Sequence, residues 1–258
     1  MLRIYLKFKA QYLKTEMEYT LNFWILMIAG VIMRGCMLAV AFVLFRNVPD
    51  IAGWSEAEVY FIISLLFLSQ GVCELLFDGV WSLPSLVFNG EFDIMLSRPV
   101  SPLWQLLAHG IGLHGLGVLP VGLLSYFLSL HTLGRLRPEA FLLLIPFVLC
   151  GAAIRVSAVL MAASTVFWVR AEGFNFPFLV HSVGEYAKYP VSLYPGVMQF
   201  VLLVLIPYGF IGFMPALILR GGHMLPLFCL QLLFTCLYFL AARALFYHGI
   251  KKYESMGM

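Results

Sequence analysis

Long apolar runs divided by short polar breaks make up most of this chain. They fall at about residues 21–45, 56–77, 103–130, 139–168, 196–219 and 224–247. Each reaches the roughly 20 residues with which a helix crosses a bilayer. The polar–apolar alternation of a membrane β-barrel is absent. The pattern predicts an all-α polytopic membrane protein, with six transmembrane helices in one domain over residues 21–258. A different kind of helix precedes them. In residues 1–20, a helical spacing of about 100° per residue gathers Arg3, Lys7, Gln11, Lys14, Thr15 and Glu18 on one arc. Leu2, Leu6, Tyr12, Leu13 and Tyr19 lie away from that arc, and Lys9 and Glu16 interrupt the apolar side. Basic residues beside apolar ones suit a helix lying on an anionic membrane surface. The stretch lacks the continuous apolar core of a cleavable signal, so none is expected.

Two polar or broken intervals depart from the plain alternation of span and loop. The first is 78–102, DGVWSLPSLVFNGEFDIMLSRPVSP, between the second and third runs. Trp81, Leu83, Leu86, Val87 and Phe88 form an apolar patch on a short helix, and Asn89-Gly90 suits its C-terminal stop. Glu91 and Asp93 open a second short turn, which Arg98-Pro99 closes because the residue before proline avoids the helical region. A slack connection needs none of this, so the interval reads as a stiff elbow with a charged tip. The second departure is the run at 196–219, where Pro207 and Pro215 each remove a backbone donor. It reads as a helix to about residue 206 followed by a broken segment that dips back into the membrane; one proline-kinked helix is the other reading. Residues 169–195, with Glu172, Glu185 and Lys188, read as a polar connection before it.

Composition agrees: 62% of residues are hydrophobic and 11% charged, against about 25% charged in soluble proteins. Charge then sets orientation. The segments on the side of the termini hold ten Lys and Arg, against four on the opposite side. This bias puts both termini and the 78–102 loop in the cytoplasm. The formal net charge of +3 is accounted for by these flanks and gives no sign of a nucleic-acid partner. Five cysteines, all inside apolar runs and without CxxC spacing, read as small buried apolar residues and not as disulfides or metal ligands.

No P-loop, GxSxG or HExxH occurs, and no histidine–carboxylate cluster at ligand spacing, so neither a catalytic nor a metal site is expected in this chain. His109 and His114 are five residues apart and share no helix face; the Gly110, Gly112, Gly115 and Gly117 around them suit close helix packing. Arg34 and Arg155 sit centrally in apolar runs, where a charge costs roughly 2.5–3.5 kcal/mol on insertion scales. Gln70 and Glu74 are their nearest partners by depth. Either Arg34 and Arg155 line a route for anionic or polar groups, or they are structural charges held by helix carbonyls or by Glu74.

The stretch NGEFDIMLSRPVSP at 89–102 resembles the G-x-x-D-x-x-L-x-R-P motif of bacterial type-2 ABC (ABC-2) transporter permeases, in their small six-span branch. Trp54-Ser55-Glu56-Ala57-Glu58 resembles that branch's W-[ST]-x-x-[DE] entry to the second span. Tyr189-Pro190, Tyr194-Pro195, Ile206-Pro207 and Met214-Pro215-Ala216 resemble its later proline pattern. The resemblance covers essentially the whole chain. It implies the permease subunit of an ATP-driven exporter in a bacterial inner membrane. Two copies of a separate cytoplasmic ATPase would carry the ATP and Mg, with no cofactor in this chain. A second permease, identical or a sister, would complete the membrane unit. The 78–102 loop would be the coupling helix, with Gly90, Glu91, Asp93, Arg98 and Pro99 docking the ATPase, residues 1–20 the interfacial helix, and Pro207 and Pro215 the outer re-entrant segment. An ion-coupled secondary transporter or channel is the alternative, although internal repeats and deep carboxylates are not evident.

Overall fold

The computed structural model describes residues 2–18, 20–135, 138–169 and 175–254. Tyr19, Arg137, Arg170 and Glu172 lie outside these, as do the side chains of Leu2, Arg3 and Glu16. Every regular element among the described residues is helical. Five continuous helices are long and apolar enough to cross a bilayer, and a bent pair adds a sixth such segment. The protein is an all-α polytopic membrane protein.

The centre of the bundle is α3 (Glu56–Phe77), of which most residues are buried. Its start is fixed locally. The Ser55 side chain accepts from the Glu58 backbone N–H, and the Glu58 carboxylate accepts from the Ser55 N–H at 2.9 Å, a reciprocal capping box. Around α3 pack α2 (Thr20–Asn47), α7 (His114–Thr132) and α8 (Pro138–Ser164), with α12 (Met224–Ile250) against α8. Small residues allow the close approach. Ser125 and Ser129 of α7 donate to the carbonyls of Tyr60 and Ala57 on α3, at 3.1 and 2.6 Å. Gly117 of α7 sits directly on the Met27 carbonyl of α2, where a Cβ would clash.

The apolar run at 103–130 predicts one continuous third span, and here the structure differs. The short α6 (Pro102–Ala108) ends at His109, and Gly110 takes φ +65°. Gly112 then donates to the Glu74 carbonyl at 3.0 Å, and the continuous helix begins only at His114. A positive φ costs glycine little, so the glycine run supplies a break as well as close packing.

The run at 196–219 predicts the fifth crossing, and the contacts correct this. Residues 176–193 already pass from one end of the bundle to the other. They comprise α9 (Phe176–Gly184) and two 3-10 turns (Glu185–Lys188 and Val191–Leu193). His181 of α9 meets Trp81 at the end that carries the 78–101 loop, ring to ring at 5.6 Å. Glu185 meets Arg34 midway along α2, and Ser192 accepts from Trp54 Nε1 at 3.1 Å at the opposite, far end. Lys188, read from the sequence as part of a polar connection, is buried inside the bundle. A hydropathy pattern cannot anticipate this, because the charges that make 176–195 look like a loop are compensated only in three dimensions.

After this crossing the chain turns back at the far end. A short α10 (Gly196–Phe200) continues into a π-helical turn over Val201–Leu205. The segments Gly196–Leu205 and Tyr208–Leu219 are bent by 77° to one another. Tyr238 of α12 donates to the Leu205 carbonyl at 2.9 Å, which sets the depth of the bend. The break is at Ile206 and Pro207. Pro215 breaks nothing: it lies in the first turn of α11 (Phe213–Leu219), where no intrahelical donor is needed. The far end is latched by Arg220, which donates to Glu58 at 2.8 and 2.9 Å and lies 3.6 Å over the Trp54 ring.

The N-terminal helix α1 (Leu2–Glu18) lies across the loop end. Leu6, Phe8 and Met17 are exposed, whereas Tyr5 and Lys9 are buried. The Tyr5 hydroxyl donates to the Leu76 carbonyl, Lys9 to the Gly110 carbonyl at 2.6 Å, and Tyr12 shares a 3.0 Å hydrogen bond with His109. Lys9, which interrupts the apolar arc in sequence, is thus one of the residues that dock the helix. Burial pushes its pKa down to about 8, opposed by the Asp78 charge. Of the cysteines, Cys73 and Cys150 are buried, while Cys36, Cys229 and Cys236 face outward, against the expectation that all five are interior.

Candidate functional site: a charged cavity and a pinned loop

Two constructions carry chemistry. The first is a cavity of about 410 Å³ within the bundle. It brings together Arg34, Gln70, Glu74 and Arg155, all four residues singled out for a translocation path, with Asp78, His114, His181 and Tyr208. It reaches the bundle surface beside Met33 of α2 and Phe178 of α9, both exposed.

The pairing within it corrects the sequence expectation. Glu74 makes no direct ion pair with either arginine among the described residues, although its charge still acts on Arg34. It accepts from Gln70 at 2.7 Å and faces His114 Nε2 at 3.3 Å. The carboxylate that meets Arg34 is Glu185, at 3.4 Å, and it also takes Lys188 and lies 3.8 Å from His181. Sequence reasoning missed Glu185 and Lys188 because they sit in a segment too short and too charged to read as a crossing. Arg155 has neither a carboxylate nor a hydrogen bond among the described residues. Its guanidinium lies over the Tyr208 ring, 4.8 Å from the centroid, and Nε and Nη2 are buried without a partner. Tyr208 reaches that position because the chain breaks at Pro207, and because Gly184 leaves its ring no Cβ to strike.

The second construction is the 78–101 loop. A 3-10 turn (Asp78–Ser82) leads into α4 (Leu83–Phe88), which buries Leu83, Leu86 and Val87. Asn89 caps it, and Gly90 turns the chain at φ +72°. Then α5 (Phe92–Ser97) runs to Arg98, whose extended backbone (φ −83°, ψ 144°) ends the helix before Pro99. Phe92 is fully buried and touches the rings of Phe167, Phe246 and Tyr253 at centroid distances of 5.5, 6.3 and 5.4 Å. Gln105 Nε2 donates to the carbonyls of Met95 and Val100, each at 2.8 Å, and the Ser101 and Tyr247 hydroxyls are 2.7 Å apart. The loop is therefore pinned to the ends of α8 and α12. Its exposed surface carries Glu91, Ile94, Leu96, Arg98 and Pro99, while Asp93 is partly buried. Phe92 and Gln105 do this positioning. Only Phe92's place inside the motif marks it in sequence; nothing marks Gln105.

Residues 31–257 match the family described as ABC-2 family transporter protein. No curated protein and no solved structure matches the chain. The match covers most of the sequence, from the first crossing through the cavity and the loop to the end of α12. The chain therefore belongs to the ABC-2 transporter family, and is a membrane permease component of an ABC transporter.

Proposed function

We propose that this chain is the permease of an ATP-driven exporter, and that the 78–101 loop receives the motion of a cytoplasmic ATPase. One observation carries the reading. At the loop end, α5 buries Phe92 and Met95 but leaves Ile94 and Leu96 exposed between the charges of Glu91 and Arg98. An apolar pair with a charged rim, held on a stiff support, is what a docking element needs. Because Phe92 ties the loop to Phe167 after α8 and Phe246 of α12, displacing the loop displaces those helices. Two arrangements of the packed bundle, biased by the ATPase, then open the cavity to one side or the other.

In this reading two ATPase copies bind ATP and Mg beneath a pair of permeases, identical or sister chains, and this chain binds no cofactor itself. The loop end and both termini face the cytoplasm of a bacterial inner membrane. With Lys188 inside the bundle, the Lys/Arg count on that side becomes nine against four, and the bias keeps its sign. The bent segment around Pro207 closes the outer side. Mild-detergent purification from native membranes tests the reading. A P-loop ATPase should co-purify with the wild-type chain and be lost from an Asp93→Ala/Arg98→Ala variant that still inserts. Full recovery with that variant, together with transport that follows an ion gradient, would replace the exporter by an ion-coupled transporter.

A further inference from the structure

Five buried side-chain polar atoms without a hydrogen-bond partner among the described residues belong to residues that line this one cavity. They are Gln70 Oε1, Glu74 Oε2, Arg155 Nε and Nη2, and the Tyr208 hydroxyl. A buried polar atom left unpaired costs about 1–3 kcal/mol, and more when charged, so the concentration points to a ligand. The donors decide which ligand. Glu74 and Glu185 already face His114 and Arg34. Arg155, only 3% exposed, is the arginine of this cavity without a carboxylate partner among the described residues. Its planar fork and the Tyr208 hydroxyl are donors of the kind that bind an oxyanion. Asp78 lines the same cavity one turn beyond Glu74 toward the loop end, so an anion is confined to the Arg155–Tyr208 side. The cavity mouth is apolar, formed by exposed Met33 and Phe178 at the level of the spans.

We infer that the cavity recognises an anionic amphiphile, whose phosphate or carboxylate group is held by the free edge of Arg155 and the Tyr208 hydroxyl while its apolar body leaves between Met33 and Phe178. The inference deepens the permease reading by naming the substrate class, and it rests on that reading for the statement that the bound molecule is transported. Arg155 is the binding residue. Tyr208 adds a donor and joins the ligand to the bent segment, so occupancy bears directly on the far-end closure.

Trp81 lines the cavity and supplies a probe that needs no ATPase, so this test fails independently of the coupling reading. The full chain is placed in phosphatidylcholine nanodiscs, and dibrominated phosphatidate or dibrominated phosphatidylcholine is titrated in. The expected result is a saturable quenching component given by phosphatidate alone, above the quenching of exposed Trp24 that both lipids share, and lost in Trp81→Phe. It should weaken at least tenfold in Arg155→Gln, a few-fold in Tyr208→Phe, and to an intermediate value in Arg155→Lys, which keeps the charge but not the planar fork. Arg155→Gln should melt at or above the wild-type temperature in neutral lipid, since Arg155 has no carboxylate to leave behind. Phosphatidate should raise the wild-type melting temperature and not that of the variant. Equal quenching by the two lipids, or quenching indifferent to both Arg155→Gln and Tyr208→Phe, would overturn the proposal. Displacement of phosphatidate by inorganic phosphate, mole for mole, would assign the site to a free anion and overturn the amphiphile.

Discussion

The loop end and the cavity treat buried groups in opposite ways. At the loop end Phe92 is enclosed by three aromatic rings, and Gln105 ties two loop carbonyls with one amide. Among the residues lining the cavity, five polar atoms are buried with no hydrogen-bond partner among the described residues. The first region is packed as one piece with the ends of α8 and α12. The second keeps its binding capacity free. A permease needs both: a part that transmits displacement without yielding, and a part whose preferred state depends on what fills it.

Phe92→Ala should have the largest effect. Removing a fully buried ring from this cluster costs about 3–5 kcal/mol, and protease should then cut within residues 88–100 while the far end stays protected. Phe92→Leu, which keeps much of the volume, should cost less than half as much by the same thermal melt. Next is Glu185→Gln, which leaves Arg34 and Lys188 together without their carboxylate. Breaking a buried pair costs about 3–5 kcal/mol; because Glu185 is 26% exposed, about 1–3 kcal/mol is expected by denaturant titration. The contrast with Arg155→Gln is the sharper reading of the comparison. One arginine pairs with a carboxylate and the other does not, so disturbing the first should lower stability, and neutralising the second should leave it unchanged within about 1 kcal/mol or raise it. A loss of several kcal/mol on Arg155→Gln would show that the charge is structural.

The smallest effect is a pH dependence at the loop end. Burial holds docked Lys9 down to about 8, against 10.5 when free. Between these values the undocked helix binds more protons, so docking releases one and strengthens as pH rises through that window. Hydrogen exchange on α1 should slow from pH 8 to 10.5 after correction for intrinsic rates, and Lys9→Met should remove the trend.

Much of this was legible in sequence where the cause was local. The start of α3 follows from Ser55 and Glu58 three residues apart before an apolar run, and the end of α4 from Asn89-Gly90. Four residues of the cavity, Arg34, Gln70, Glu74 and Arg155, were legible as polar groups stranded in apolar runs, whereas His181 and Tyr208 were not. Nor was the partner of Arg34, because Arg34 meets Glu185 across 151 residues of chain and no local pattern encodes that pairing. The same blindness misplaced the fifth crossing: apolarity drew the reading to 196–219, while the crossing at 176–193 carries Glu185 and Lys188 and is stabilised by tertiary charge pairing. The break at Gly110 was hidden because a glycine run serves close packing and chain reversal alike.

The central claim is that exposed α5 is where the ATPase takes hold. A photo-crosslinking residue at Ile94, which is 54% exposed at the loop end, can be compared with one at Leu225, 73% exposed at the far end. Irradiated in native membranes, the chain labelled at Ile94 should form a covalent adduct with a P-loop ATPase, and the chain labelled at Leu225 should form none. Adducts from neither position, or from Leu225 alone, in membranes where the permease is active would contradict the account.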